Sequence, residues 1–493
     1  MTSAKRTVWI DVDDLFHYVA HNARLSGIQR LTYELYSAIE RRAESFGLRT
    51  AYLRIDPALD EFVVVDWEDV RALCHGLTTE HPLPQSAQPS PSLPRARGGL
   101  VTRARLFSRE AALYVNHRLP ENAREPFARF RTLQLEALRA LAQIRRAGVG
   151  TVKQAAGPIV NRADTPVRLL DVAQPGDWLL SLGAPWHRVD YGSLIARARR
   201  EGGLRSALLI YDLIPLRRPE WCHHSLVETF GAWLDGMLPQ CDALFAISDA
   251  TARDVSDLLQ KRGRTDPVVT MPVGTGFPAS EAAVVRVHEP VPAHAVPKPG
   301  SYVLFVSTIE ARKNHALMFQ VWRRLAEIMP PERLPTLVFA GRIGWLVSDL
   351  MTQIANTSYC DGKLAIIEDP SDAVLMRLYE GCLFTVLPSL FEGWGLPVTE
   401  SLSFGKPCVT SDTTSLPEAG AGLTRMLDPY DLNDATRVIH EILSDREKLA
   451  EWQEEVRRSF KPVPWTRSAD AILAGLGGQT VERHGIVVAE SAA

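Results

Sequence analysis

The chain reads as an α/β protein with two doubly wound parallel-sheet domains facing a shared cleft. Three observations predict this. Short apolar runs that stop at acidic or glycine residues alternate with stretches of helical period. The alternation breaks at the proline-rich "RVHEPVPAHAVPKPG" (286–300) and then resumes. Finally, 493 residues are too many for one ordinary core.

In the first half, "RTVWIDV" (6–12) is an apolar run ending at acidic residues, as a buried strand of a parallel sheet would. "SGIQRLTYELYSAIE" follows with Ile28, Leu31, Leu35 and Ile39 at helical spacing. "RSALLIYDLIP" ends a strand near Asp212, and "CDALFAISDATARDVSDLL" is a strand, a Ser-Asp cap and a helix. This half is expected to hold parallel strands throughout. Beyond the break, "YVLFVS", "TLVFAG", "LAIIED", "LFTVLPS" and "PCVTS" are strands, with "HALMFQVWRRLAEIM" and "DAVLMRLYEGC" as helices among them. In such sheets ligands sit beyond the carboxyl ends of the strands, so two facing sheets direct a site into the cleft.

The expected boundaries are an N-terminal domain at 1–285, a linker at 286–300, a second domain at 301–461, a terminal segment at 462–480 and a flexible tail at 481–493. Residues of about 76–166 interrupt the first domain. "HPLPQSAQPSPSLPRARGG" is Pro/Ser-rich, and residues 95–168 carry fifteen Lys/Arg against five Asp/Glu in a chain of net charge -3. The apolar and basic residues of "EPFARFRTLQLEALRALAQIRRAG" suit either a helix lying on an anionic membrane surface or a helical insertion packed on its own domain.

Hydrophobic content of 46% and charged content of 23% are those of a globular chain, and the near-neutral charge gives no sign of a nucleic-acid partner. The six cysteines are scattered, with no Cys-x-x-Cys pair and no metal-ligand spacing, which predicts reduced thiols and a cytoplasmic protein. The start, "MTSAKRTVWIDVDD", meets aspartates before a leader could form, and no window offers a membrane-spanning run. "DVDD" (11–14) could be taken for an Asp-x-Asp metal motif. It ends the first strand, and a strand-terminating turn accounts for it better, so no metal site is expected.

The stretch "SLFEGWGLPVTESLSFGKP" carries the densest chemistry. "FEGWG" is a turn at the end of a strand. Pro397 fits a first helical position, and Gly405 can end that helix in the left-handed conformation. Two glycines ahead of a helix N-terminus leave backbone N–H groups approachable by an anion such as a diphosphate. Glu392 at the rim and Glu400 on the helix can accept paired hydrogen bonds from sugar and ribose hydroxyls. Taken alone, the pattern is equally a capped helix with two solvated acids.

The longer run "PSLFEGWGLPVTESLSFGKPCVTSDTTSLPE" resembles the glutamate–seven–glutamate signature of retaining GT-B glycosyltransferases of family 4, the glycosyl transferases group 1, and is mannosyltransferase-like. "FVSTIEARKNHALMFQVW" is similar to that family's first strand, phosphate loop and helix in the nucleotide-binding domain. "SGIQRLTYEL", "IYDLIPLRRPEW" and "AISDATARDV" resemble its N-terminal landmarks, and "PVPWTRSADAILAGL" resembles the terminal segment that crosses back to the N-terminal domain.

The resemblance implies the GT-B architecture, with a Rossmann-like acceptor domain followed by a Rossmann-like donor domain. It implies that Glu392 contacts the donor sugar and Glu400 the ribose. Gly393, Trp394, Gly395 and Leu396 would supply backbone contacts around the diphosphate, and Lys313 would neutralise that diphosphate as it leaves. Asn314 fits as the cap that fixes the Lys313 loop. Arg312 and Arg342 are candidates for a second cation. Gly27 would allow the phosphates to approach closely. Asp212 and Tyr211 lie in the "IYDLIP" element, where Tyr211 could donate a hydrogen bond to the sugar.

Two departures stand out. Thr308 occupies a position where many members have arginine, and Tyr211 one where many have histidine. The implied activity is metal-independent, retaining transfer of a hexose from a nucleotide-diphosphate sugar to a saccharide or lipid-linked saccharide, in cell-surface polysaccharide assembly at the inner membrane face. GDP-mannose is the favoured donor and no cofactor is expected. The alternatives are a catalytically degenerate nucleotide-sugar-binding partner subunit and a sugar-nucleotide epimerase on the same architecture.

Overall fold

The computed structural model describes residues 5–19, 27–79, 166–276 and 296–477. The basic insertion with its expected membrane helix, most of the expected linker and the C-terminal tail lie outside these residues. Among them, two sheets organise the chain. The first joins β1 (Thr7–Asp11), β2 (Arg49–Asp56), β3 (Glu61–Val65), β4 (Trp178–Ser181), β5 (Arg205–Ile210), β6 (Ala243–Ala246) and β7 (Val268–Thr270), in the order β3-β2-β1-β4-β5-β6-β7. The second joins β8 (Tyr302–Val306), β9 (Thr336–Ala340), β10 (Leu364–Ile367), β11 (Thr385–Leu387), β12 (Cys408–Ser411) and β13 (Arg425–Leu427), in the order β10-β9-β8-β11-β12-β13.

Every pairing is parallel except β2 with β3. That edge departs from the all-parallel expectation for a simple reason. Only "PALD" separates the two strands, whereas a parallel crossover needs a dozen or more residues. Asp56 closes the turn by accepting the N–H groups of Ala58 and Leu59 at 2.8 and 3.1 Å.

In both sheets the strand order reverses once, beside β1 and β4 in the first and β8 and β11 in the second. A crevice opens beyond the strand ends at each such reversal. At the first, "DVDD" is committed to structure. Asp11 accepts Tyr191 OH at 2.5 Å, Asp13 accepts the Ile55 N–H at 3.0 Å, and Asp14, on α1 (Asp13–Val19), accepts the Ala184 N–H at 3.1 Å. Burial, and then the neighbouring Asp13, push the Asp11 carboxyl up to about 8. Among the described residues no group of three or more His, Cys, Asp or Glu side chains could hold a metal ion. All six cysteines are free thiols, and no described helix is long and apolar enough to cross a membrane.

The last described helix belongs spatially to the first domain. After the second sheet, the Thr275 N–H donates to the Val463 carbonyl at 2.8 Å and the Val463 N–H donates to Thr275 Oγ1 at 3.2 Å. The following helix, Trp465–Leu476, buries Ala469, Ile472, Leu473 and Leu476 in the cluster that holds Leu31, Leu35 and Ile39 of α2 (Gly27–Arg42). Each fully buried aliphatic side chain contributes about 1.5–3 kcal/mol at most. Arg42 and Asp470 close the edge of this contact at 2.7 Å. The chain therefore passes between the domains a second time, well after the linker.

Candidate active site

The two reversals face one cavity of about 550 Å³, and all twelve residues singled out from sequence line it: Gly27, Tyr211, Asp212, Arg312, Lys313, Arg342, Glu392, Gly393, Trp394, Gly395, Leu396 and Glu400. The loop after β8 supplies Arg312 and Lys313. The loop after β11 supplies Glu392 to Gly395 and runs into the helix α3 (Leu396–Ser403), which carries Glu400. Gly395 precedes this helix at φ 109, which favours glycine, and no side chain caps it.

Glu392 is the hub. One carboxylate oxygen accepts Lys313 Nζ at 2.6 Å, and the other accepts Arg312 Nη1 at 2.9 Å. Arg312 also reaches Glu310 at 2.8 Å and the Phe391 carbonyl at 2.5 Å. Burial alone would raise the Glu392 carboxyl, but Arg312 and Lys313 outweigh it and hold the group near about 2. It is a carboxylate at any ordinary pH. The loop backbone is pinned from β12's far end, where Thr414 Oγ1 accepts the Glu392 N–H at 3.0 Å and Ser415 Oγ donates to the Glu392 and Trp394 carbonyls at 3.0 and 2.9 Å. Buried His315 stacks on Phe305 with ring centroids 4.0 Å apart. Burial, then Lys313, push it down to about 3, so it stays neutral beside the lysine.

Glu400 is also engaged. It accepts Tyr379 OH at 2.8 Å and pairs with Arg30 of α2, from the opposite domain. Arg342 sits at the rim on Asp369 at 2.8 Å. Burial raises the Asp212 carboxyl although Arg312 is near, and Asp212 accepts the Ile214 N–H at 2.9 Å.

Two expectations are corrected. Tyr211 lines the cavity, but its OH donates to the Leu182 carbonyl at 2.5 Å, inside the first domain's core, rather than into the cavity. Its backbone is what matters, since the Tyr211 carbonyl lies where a Cβ on Gly393 would come within 2.1 Å. Asn314 does not cap the helix His315–Ile328 with its side chain. It stands at φ 65 and its Nδ2 donates instead to the Pro429 carbonyl at 2.9 Å.

The close approach at Gly393 makes a prediction. Gly393→Ala pushes a methyl group into main chain that cannot swing away, so it should cost about 1–3 kcal/mol of stability, read from urea unfolding. An unchanged unfolding curve would show that the two loops are not held this close in solution. Other contacts join the same faces. Trp394 packs against the cores of both domains, Trp345 Nε1 donates to the Trp221 carbonyl at 2.8 Å, and Glu418 accepts the N–H groups of Asp249 and Ala250, each at 2.8 Å. Sequence reading gave no role to Arg30, Glu310, Tyr379, Thr414, Ser415 or Glu418.

The two doubly wound sheets open on one cavity, the arrangement expected of the GT-B architecture. Residues 289–459, about a third of the chain, match the family model described as "Glycosyl transferases group 1", and this stretch carries Lys313, Glu392 and Glu400. The chain is similar to "Serotype-specific mannosyltransferase WbdA" of Escherichia coli, 23% identical over 292 residues that make up 56% of this chain and 34% of that protein. It is similar also to "O-antigen chain mannosyltransferase B" of Escherichia coli, 33% identical over 147 residues, 29% of this chain and 37% of that one. The chain thus spans only about a third of the length of these relatives. Among solved structures, "Trehalose-6-phosphate from E. coli bound with UDP-2-fluoro glucose" aligns with 64% of this chain and 76% of its own at 14% identity and a TM-score of 0.47.

Proposed function

We propose that this chain is a retaining, metal-independent glycosyltransferase of the family 4 type. It moves a hexose, mannose in the first instance, from a nucleotide-diphosphate sugar to a saccharide or lipid-linked saccharide. The observation that carries the reading is the cluster of Lys313, Arg312 and Glu392 beside an uncapped helix N-terminus, with Gly27 and Glu400 on the same cavity. Mannose, and a role in building a cell-surface chain such as an O-antigen, are favoured by the names of these relatives; action at the inner membrane face is part of the same proposal. GDP-mannose is accordingly the first donor to try.

In this reading the sugar's hydroxyls take the Glu392 carboxylate and the ribose takes Glu400. The diphosphate lies against Gly27 and the amides at the start of α3. The bond from the anomeric carbon to the phosphate oxygen breaks as the acceptor oxygen closes on the same face. The acceptor's proton passes to the departing phosphate oxygen, which gains charge as it leaves. Lys313 and the helix amides are fixed where that charge develops, which is how electrostatic preorganisation lowers a barrier. Domain contact around the donor excludes water and so limits hydrolysis.

The test is a panel of sugar nucleotides screened first for thermal stabilisation and then for release of nucleoside diphosphate with acceptor present. A ligand at a hundred times its Kd should stabilise the native state by about 2.7 kcal/mol. A panel in which no nucleotide sugar stabilises the chain would refute the proposal. Binding without acceptor-dependent release would instead favour the partner-subunit alternative, and conversion of the donor with no acceptor would favour the epimerase.

A further inference from the structure

Both oxygens of Glu400 are taken. Tyr379 OH donates to Oε2 at 2.8 Å, and Arg30 bonds Oε1 from the other domain. The pair is well shielded, with side-chain exposures of 18% for Arg30 and 3% for Glu400. Two helices meet here in matching register. Gly27 abuts the Leu396 side chain at the first turns of α2 and α3. Arg30 lies three residues on from Gly27, and Glu400 four on from Leu396, so both stand one turn deeper on the facing sides. Helical side chains lean back toward their own N-terminus, which brings the Arg30 guanidinium toward Gly27.

The cations lining the cavity are each matched by an acid: Arg30 by Glu400, Arg312 by Glu310 and Glu392, Lys313 by Glu392, Arg342 by Asp369. A diphosphate therefore meets guanidinium groups that already hold an acid, and can take one over fully where that acid has another partner in the same ligand. Position 308, beside the same phosphate loop, is Thr308 and brings no charge. Of the guanidinium pairs, Arg312 is the most tied down, since its exchange would also strand Glu310 and the Phe391 carbonyl. Arg30–Glu400 is different, because each partner has a natural successor in one ligand: two ribose hydroxyls for the carboxylate, two phosphate oxygens for the guanidinium.

We propose that Arg30 is a donor-exchanged cation, leaving Glu400 to the ribose and turning to the diphosphate when a nucleotide sugar binds. This deepens the proposed function and rests on it. The physical consequence is a dependence on phosphate. A bare nucleoside that took Glu400 would take a carboxylate from a largely buried guanidinium and give nothing in return, whereas a nucleoside diphosphate offers both charges a partner in one step. Arg30 thereby makes the first domain a reader of the donor's phosphates.

The experiment compares wild type with Arg30→Met and Arg30→Lys in the full chain. Calorimetry measures binding of guanosine and GDP, or of uridine with UDP or adenosine with ADP where that base binds better. Arg30→Met should weaken the diphosphate roughly 10–100-fold while leaving the nucleoside unchanged or tighter, because its competitor for Glu400 is gone. Arg30→Lys keeps the charge but not the fork, and should fall between the two. It also supplies the reading should Arg30→Met not fold. Unchanged diphosphate affinity, or equal weakening of both ligands, would overturn the proposal and leave the glycosyltransferase reading standing. Failure of wild type to bind any nucleotide would remove both.

Discussion

Lys313→Ala lowers acceptor-dependent release of nucleoside diphosphate about 10²–10³-fold, the loss seen when one preorganised donor is removed from a developing oxyanion. The geometry says why this loss should fall on the rate rather than on folding. Lys313 holds one oxygen of Glu392 at 2.6 Å, and Arg312 independently holds the other at 2.9 Å. Removing the lysine leaves the carboxylate paired, and its backbone is still pinned by Thr414 and Ser415. The melting temperature should therefore fall less than it does for Arg312→Ala, and the KM for the donor should change less than kcat, because charge on the leaving phosphates peaks in the transition state. Arg312→Ala is the informative contrast. It frees Glu310, Glu392 and the Phe391 carbonyl together, so its loss of activity should come with loss of stability. Were Lys313→Ala to transfer at the wild-type rate, or to lose stability as Arg312→Ala does, the lysine would be a structural counter-ion and no more.

Much of this arrangement is visible in the sequence because it is local. The strand–loop–helix rhythm shows as a change of period, with Lys313 and Glu392 in loops that follow strands and Glu400 on the helix after the second loop. What escapes is non-local or directional. Arg30 lies 370 residues from Glu400, and Glu418 169 from the amide it receives, so no window contains either pair. Tyr211 is expected at the sugar because it stands where many members of the family that the chain resembles have histidine. Which way a ring turns at a strand end depends on the neighbouring strand, and here the Leu182 carbonyl draws the hydroxyl inward. Asn314 has the residue type of a helix cap, yet at φ 65 its side chain is aimed at Pro429. Its type predicted the helix start correctly and its bond wrongly. The antiparallel edge at β3 follows from a four-residue connection whose meaning is clear only once both flanking runs are recognised as strands.

Glu392→Gln should strongly destabilise the fold. Arg312 and Lys313 are ion-paired with Glu310 and Glu392, and the buried Asp212 lies beside Arg312. The amide removes one carboxylate from these pairs in a site where Glu392 itself is only 8% exposed. Breaking a buried pair by removing one partner costs about 3–5 kcal/mol. The same pair should show in acid. The folded carboxyl is held near about 2 against an ordinary 4.5. A depressed acid contributes stability that is complete above its unfolded value and lost as pH falls through the folded one. Wild type should therefore lose ~3 kcal/mol through this group as pH drops from the ordinary carboxylate range towards 2. Glu392→Gln should lack that component, which urea unfolding at a series of pH values would measure. A double variant separates charge balance from chemistry. Lys313→Met added to Glu392→Gln leaves Arg312 with Glu310, removes one charge of each sign and should recover part of the lost stability, a coupling of opposite sign to simple addition. It should recover no transfer, since both the lysine and the sugar-binding carboxylate are gone. If the double variant were instead the sum of its parts in stability, the two residues would not share the buried charge that the 2.6 Å contact implies.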